Sequence, residues 1–195
     1  YLAAGMLNKA KEEARRTVTA LKPFVEAGMP IVGLEPSCLF TLKDEFPSML
    51  EGATVTPLAE RAVMFEQFLV DEGSKGFSEL SLESPTGQKA FVHGHCHQKA
   101  FNAHGAVHQV LSRIDGLEVE AIPAGCCGMA GAFGYQSETQ AVSVKMAQLD
   151  LLPAIGKTDP TDWLVADGFS CRHQIKDLTQ RQGRHAAQVL AGLLG

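Results

Sequence analysis

Leu164-Val-Ala-Asp-Gly-Phe-Ser-Cys171 aligns without gaps on Ile31-Val-Gly-Leu-Glu-Pro-Ser-Cys38. In each copy a short apolar run, of the kind that forms a buried strand, leads through a turn to Ser-Cys. The register holds beyond the cysteines, where Ile175-Lys176-Asp177 answers Leu42-Lys43-Asp44. The helix-patterned segments ahead of the two runs also correspond, 6–22 with about 136–152. A strand–turn–helix unit used twice predicts an α/β protein with a mostly parallel sheet.

The remaining pattern agrees. Leu7, Ala10, Ala14, Val18 and Leu21 recur at helical spacing, and Gly28 and Pro30 stop that helix. Helices are expected from about Leu39 toward Phe46 and over 58–70. The glycine-, serine- and proline-bearing stretch 71–88 reads as a loose connection between two lobes. Strands are expected at 90–93, 117–122 and 163–166, with helices at about 98–114, 136–152 and 184–194.

Hydrophobic residues make up 45% of the 195 and charged residues 20%, which excludes a disordered chain. The net charge of −5 argues against nucleic-acid binding by bulk electrostatics. No apolar run is long enough for a membrane span, and no secretory signal pattern opens the chain. A cytoplasmic protein is therefore expected, associated with a membrane only through partners.

The five cysteines, Cys38, Cys96, Cys126, Cys127 and Cys171, are odd in number and cannot all pair within the chain. With no secretory signal, they point to metal or redox chemistry rather than a disulfide framework. All fall at expected strand ends or in the turns that follow, the edge where open α/β sheets bind ligands. Four thiolates at one point repel each other unless they share a cation or an iron–sulfur core. If they meet, the sulfurs of Cys96, Cys126, Cys127 and Cys171 should lie roughly 4–7 Å apart, given metal–sulfur bonds of about 2.3 Å.

Adjacent Cys126 and Cys127 diverge, which suits a target with several metal atoms better than one tetrahedral zinc. Gly128, Gly131 and Gly134 follow at three-residue spacing, and backbone N–H groups there can approach anionic sulfides. The plainer reading, two core cysteines in a tight turn, leaves the glycines and the other strand-end cysteines unexplained. His93, His95 and His97 alternate around Cys96 and either cap the strand end or stand beside a metal as ligand or proton donor. His104 and His108 lie four apart, a solvated helix face or a metal pair. The spacing of His173 from Cys171 allows it a place near the site, and His185 is expected on the surface. Trp163 and Phe169 read as core, and Glu35-Pro36 and Asp167-Gly168 as turn residues. No G-x-G-x-x-G opens a helix after a strand, so a nicotinamide site is unsupported.

His93-Gly-His-Cys-His-Gln98, Gly125-Cys-Cys-Gly-Met-Ala-Gly131 and Ala166-Asp-Gly-Phe-Ser-Cys-Arg172 together resemble the cysteine-rich CCG domain family. That family occurs in heterodisulfide reductases, anaerobic glycerol-3-phosphate dehydrogenases and glycolate and lactate oxidases. The wording looks closest to the C-terminal iron–sulfur part of FAD-linked oxidases of the D-2-hydroxyglutarate or D-lactate dehydrogenase type. The resemblance covers essentially the whole chain. It implies two pseudo-repeated Rossmann-like lobes, 1–85 and 86–195, the second with the complete cysteine set.

By the same resemblance Cys96, Cys126, Cys127 and Cys171 would ligate a [4Fe–4S] cluster; the positions of Gly128, Gly131, His93 and His97 in the sequence put them beside it. Cys38 would be the last ligand of a first-lobe motif. The Cys pair ends 44 positions before Cys171, and the same offset from Cys38 falls just upstream of Tyr1. This suggests a first repeat cut short and a longer parent chain. The family motif ends in Cys-x-x-Cys, whereas Thr41 and Gln174 stand at the fourth positions here, leaving an ordinary four-cysteine set.

The implied role is electron relay in a flavin-linked D-2-hydroxy-acid dehydrogenase or oxidase, with no catalytic residue in this chain. FAD would belong to the parent enzyme and not to this fragment. The implied partners are an FAD-containing dehydrogenase domain or subunit and an electron acceptor. Two rival readings remain: a zinc-binding structural or interaction domain, and a disulfide reductase of the heterodisulfide type.

Overall fold

The computed structural model describes residues 1–50, 55–72 and 77–194. The chain forms two compact units, Tyr1–Phe65 and Glu66–Gly195.

The first unit opens with α1 (Leu7–Glu26), which buries Ala10, Ala14, Val18 and Val25 along one stripe. Gly28 closes it in the left-handed region (φ 81°), where the Met29 N–H reaches back to the Phe24 carbonyl. Strand β1 (Ile31–Gly33) follows, then α2 (Pro36–Thr41), with Glu35 as N-cap accepting the Ser37 N–H and Pro36 in the first helical turn. After α3 (Glu45–Met49) and α4 (Val55–Arg61) comes β2 (Ala62–Met64), parallel to β1. Residues 62–64 were expected inside a helix over 58–70. A three-residue apolar run cannot be assigned by periodicity, and here pairing with β1 buries Ala62 and Met64 completely.

Helix α5 (Phe65–Asp71) leads into the second unit. Of the expected loose connection 71–88, residues 73–76 lie outside the described residues, and the end of it is tied down. Leu82 is buried, its carbonyl accepts the Asp115 N–H, and Ser84 N–H bonds the Asp115 carbonyl. Four parallel strands follow: β3 (Lys89–Val92), β4 (Glu118–Ala121), β5 (Trp163–Val165) and β6 (Gly183–Arg184), in the order β4-β3-β5-β6. Every pairing among the described strands is parallel, so the fold is α/β.

The helices are shorter than their patterns. The expected 98–114 helix is α6 (Cys96–Ala100) and α7 (His104–Leu111), separated at Asn102, which takes φ 54°. The expected 136–152 helix is α8 (Gln140–Leu149) and α9 (Leu151–Ile155), parted at Asp150. Helix α10 (Phe169–Thr179) is the helix that the repeat requires after β5, and α11 (Ala186–Leu193) closes the chain. Cys38 and Cys171 are each the third residue of the helix after their strand, so the two copies share strand, turn and helix.

The core of the second unit joins Leu151, Ile155, Leu164 and Ile175 to Cys127 and Cys171. Leu164 sits on β5, between β3 and β6, and is 1% exposed. Leu164→Ala should destabilise the second unit by about 2–5 kcal/mol. Urea denaturation reads this as a lower midpoint with an unchanged slope; no shift would mean that β5 is not central.

Candidate metal centre

The order β4-β3-β5 sets three strand ends side by side, and each continues into a cysteine-bearing segment. His93 follows β3, and Cys96 is the first residue of α6. Cys126 and Cys127 follow β4, and Cys171 lies in the first turn of α10 after β5. Among the described residues, His93, Cys127 and Cys171 bring one ligand atom each within 4.8 Å of one another, all three buried. The thiols of Cys96 and Cys126, Cys126 and Cys127, and Cys127 and Cys171 share hydrogens in a chain.

That chain divides the charge. Sharing with Cys127 and Cys96 holds Cys126 far below the usual thiol range, helped by the Gly128 N–H, which donates to its sulfur at 3.3 Å. Sharing with Cys127, then the neighbouring His93, holds Cys171 down despite burial. Hydrogen sharing and burial push Cys96 and Cys127 up. Without a cation, the site keeps two thiolates apart by placing a thiol between them.

The surroundings lack their own polar satisfaction. Neither ring nitrogen of buried His93 has a hydrogen-bond partner of ordinary geometry, and the same is true of His97 Nδ1. Orphaned polar atoms facing sulfur are the donors that a metal-binding pocket offers to its ion. The set of four cysteines with adjacent His93 thus fits an iron–sulfur cluster or a soft divalent ion by its chemistry.

Neighbouring elements hold the ligands in place. His95 is the N-cap of α6: its Nδ1 accepts the His97 N–H at 3.1 Å, while its own N–H donates to Gln98 Oε1 at 3.0 Å. The His97 ring stacks on it. Lys99 Nζ donates to the Ala124 and Gly125 carbonyls and so braces the turn before the Cys pair. Gly128 (φ 90°) packs so closely that a Cβ would stand 2.3 Å from the Ser143 carbonyl, whereas Gly131 (φ 65°) faces open space. Gly168 allows His95 its place, since a Cβ there would meet His95 Cδ2 at 2.3 Å.

Cys38 lies exposed in the first unit, its thiol pushed up by partial burial and by Glu35. No metal-sized group among the described residues includes it. Gln174, where the family motif has a cysteine, is buried and donates to Ser143 Oγ at 2.9 Å; Thr41 donates to the Ser37 carbonyl. His173 meets the Tyr135 hydroxyl at 2.8 Å and the Phe169 ring. His104 and His108 line a cavity of about 350 Å³ with Lys99, and no third ligand joins them among the described residues.

Two expectations are corrected. His185 is buried rather than on the surface, because it caps α11 and faces Glu66 and Asp167. Phe169 is 54% exposed rather than core, since it opens α10 on the solvent side. Sequence reading missed Gln98, Lys99 and Asp167 as supports. One signal was present: His95-x-x-Gln98 and His185-x-x-Gln188 are the same capping box with histidine as N-cap.

Several known proteins match the chain along nearly its whole length. It is 30% identical over 193 residues to a D-2-hydroxyglutarate dehydrogenase of Pantoea ananatis, covering 97% of this chain and 18% of that protein. The Escherichia coli K12 protein of the same name is 26% identical over 192 residues, with the same coverage. One subunit of the anaerobic glycerol-3-phosphate dehydrogenase of E. coli K12 is 28% identical over 196 residues, 99% of this chain and 48% of that subunit. The relatives are dehydrogenases, and this chain matches a fragment of them: under a fifth of the first two and about half of the third. No family model matches the chain, and no solved structure does. No helix among the described residues is long and apolar enough to cross a membrane.

Gly168→Ala should displace His95 and lower metal content. Gly131→Ala should leave metal content unchanged, at a backbone cost of about 1 kcal/mol. Elemental analysis of the two proteins checks this; equal metal would show that His95 does not position the site. In chelator-treated protein, hydrogen sharing holds the Cys126 thiol down and pushes the Cys96 thiol up. The alkylation rate of Cys126 should therefore rise less steeply between about pH 5 and 8 than that of Cys96. Mass-spectrometric mapping of iodoacetamide adducts reads both, and parallel slopes would contradict the charge division.

Proposed function

We propose that the chain is the electron-transfer part of a larger flavin-linked dehydrogenase acting on a small D-2-hydroxy acid. Cys96, Cys126, Cys127 and Cys171 would hold a [4Fe–4S] cluster. The observation that carries this reading is the convergence of four cysteines from three adjacent strand ends. Similarity along nearly the whole chain to fragments of D-2-hydroxyglutarate dehydrogenases supports it. When bound, such a cluster accepts and passes single electrons.

The chain's own residues supply the setting. Gly128 and Met129 N–H groups donate to the Cys126 and Cys127 sulfurs, and the N-terminus of α10 lies under Cys171; all favour negative sulfur. Buried Cys127, Cys171 and His93 keep water from one side, while exposed Cys96 leaves the other open to a redox partner. Cys38 would belong to a second motif completed elsewhere in the parent chain. FAD would sit on a partner domain, with an electron acceptor beyond. A cytoplasmic location, membrane-associated only through partners, fits this role.

A second reading, a zinc-binding structural domain, draws on the close approach of His93 to Cys127 and Cys171. Anaerobic purification separates the two. A brown protein containing iron and acid-labile sulfide supports the cluster; a colourless one with stoichiometric zinc overturns it. Cys171→Ser should abolish cluster iron, whereas Cys38→Ser should leave most of it.

A further inference from the structure

Away from the cysteines, the second unit contains another group of ligand-type side chains. Glu66, Asp167 and His185 bring one donor atom each within 4.8 Å of one another, and all three are buried. His185 Nδ1 stands 3.7 Å from Glu66 Oε1 and 3.5 Å from Asp167 Oδ1. Donors about 2.1 Å from one tetrahedral ion stand roughly 3.4 Å apart, so these are the spacings of a shared cation.

The polar accounting points the same way. Asp167 is partly satisfied, with Oδ2 accepting from Gln98 Nε2 at 2.7 Å and Oδ1 from the Ala186 N–H at 3.1 Å. His185 Nδ1 accepts the Ala187 N–H at 2.9 Å, so that nitrogen carries no proton and the ring brings no positive charge. Glu66 is different. It is 0% exposed, and neither carboxylate oxygen has a hydrogen-bond partner of ordinary geometry, its own backbone N–H being the only donor turned toward it among the described residues. Among the described residues no lysine or arginine pairs with either carboxylate. Two buried carboxylates without a counter-charge are costly, and an unsatisfied pair of oxygens aimed at a third donor calls for an occupant.

A proton is one answer: burial and the neighbouring Asp167 push the Glu66 carboxyl up to about 8. A divalent ion answers more fully, because it satisfies both carboxylates and the imidazole at once. We propose that Glu66, Asp167 and His185 bind a divalent transition-metal ion of the zinc or manganese kind, at a site separate from the cysteines.

Oxygen and nitrogen donors without sulfur suit such ions. The His185 Nδ1 lone pair serves the Ala187 N–H when the ion is absent and the ion when it is present. The position gives the ion structural consequence. Asp167 precedes Cys171 by four residues and holds Gln98, in the helix that begins with Cys96. The ion would thus link the Glu66 helix to two segments that carry cysteines, whatever those cysteines bind.

The test uses the whole chain, stripped by chelator under reducing conditions and then titrated with Co²⁺ as probe. Co²⁺ on thiolates gives intense sulfur-to-metal charge transfer; on oxygen and nitrogen donors it gives only weak visible bands. Wild type should bind one equivalent that adds weak bands alone. Glu66→Gln, isosteric with the protonated side chain and therefore foldable, should weaken that equivalent by more than about 100-fold, since losing even an outer-shell partner costs 10–100-fold. The charge-transfer band should be unchanged. Zn²⁺ should raise the melting temperature of wild type in excess of its effect on Glu66→Gln. If both proteins bind the same number of Co²⁺ ions with the same spectra, the pocket holds only a proton and the proposal is overturned.

Discussion

Four sulfur atoms crowded at the carboxyl edge of a parallel sheet constrain the whole second unit. Each thiolate there raises the cost of the next, and the interior offers no lysine or arginine to offset it among the described ion pairs. The protein relieves the repulsion locally. Hydrogen sharing along the chain of thiols holds Cys126 and Cys171 down and pushes Cys96 and Cys127 up, and the Gly128 N–H donates to the Cys126 sulfur. Two nearby glycines answer packing rather than charge: a Cβ at Gly128 would meet the Ser143 carbonyl and one at Gly168 the His95 ring.

Support for the site lies in a relay of ordinary hydrogen bonds. Asp167 accepts from Gln98 in α6 and from the first N–H of α11, so one carboxylate pins two helix starts to the end of β5. His95 caps α6 and fills the space that Gly168 leaves open. The cysteine-bearing turns are therefore positioned by side chains other than cysteine, which keeps short turns in a defined geometry.

The sequence made some of this legible and hid the rest for physical reasons. The strands around Cys38 and Cys171, and the parallel α/β class, followed from short apolar runs ahead of repeated Ser-Cys turns. The placement of Cys96, Cys126, Cys127 and Cys171 after three neighbouring strands was legible because strand ends of a parallel sheet share one edge. Strand β2 was not, since Ala62-Val63-Met64 sits in a helix-like pattern and becomes a strand only by pairing with β1. Likewise His185 reads as an ordinary surface histidine until Glu66 and Asp167, distant in sequence, close around it. Long-range partners decide such residues, and local periodicity carries no record of them.

The strand order also sets a schedule. The segments bearing Cys96 and Cys171 become neighbours only after β3 has accepted β4 on one side and β5 on the other, across long stretches of chain. Parallel pairings of this kind form late, because loop-closure entropy must be overcome before contacts reward it. In small zinc fingers the metal drives folding of a chain that is otherwise unfolded. The contrast here is topological: Cys96, Cys126, Cys127 and Cys171 follow strands that only the assembled sheet sets side by side. Before the sheet closes, Cys127 and Cys171 have no core to bury them, and unburied thiols are open to oxidation, so folding of this chain calls for a reducing environment.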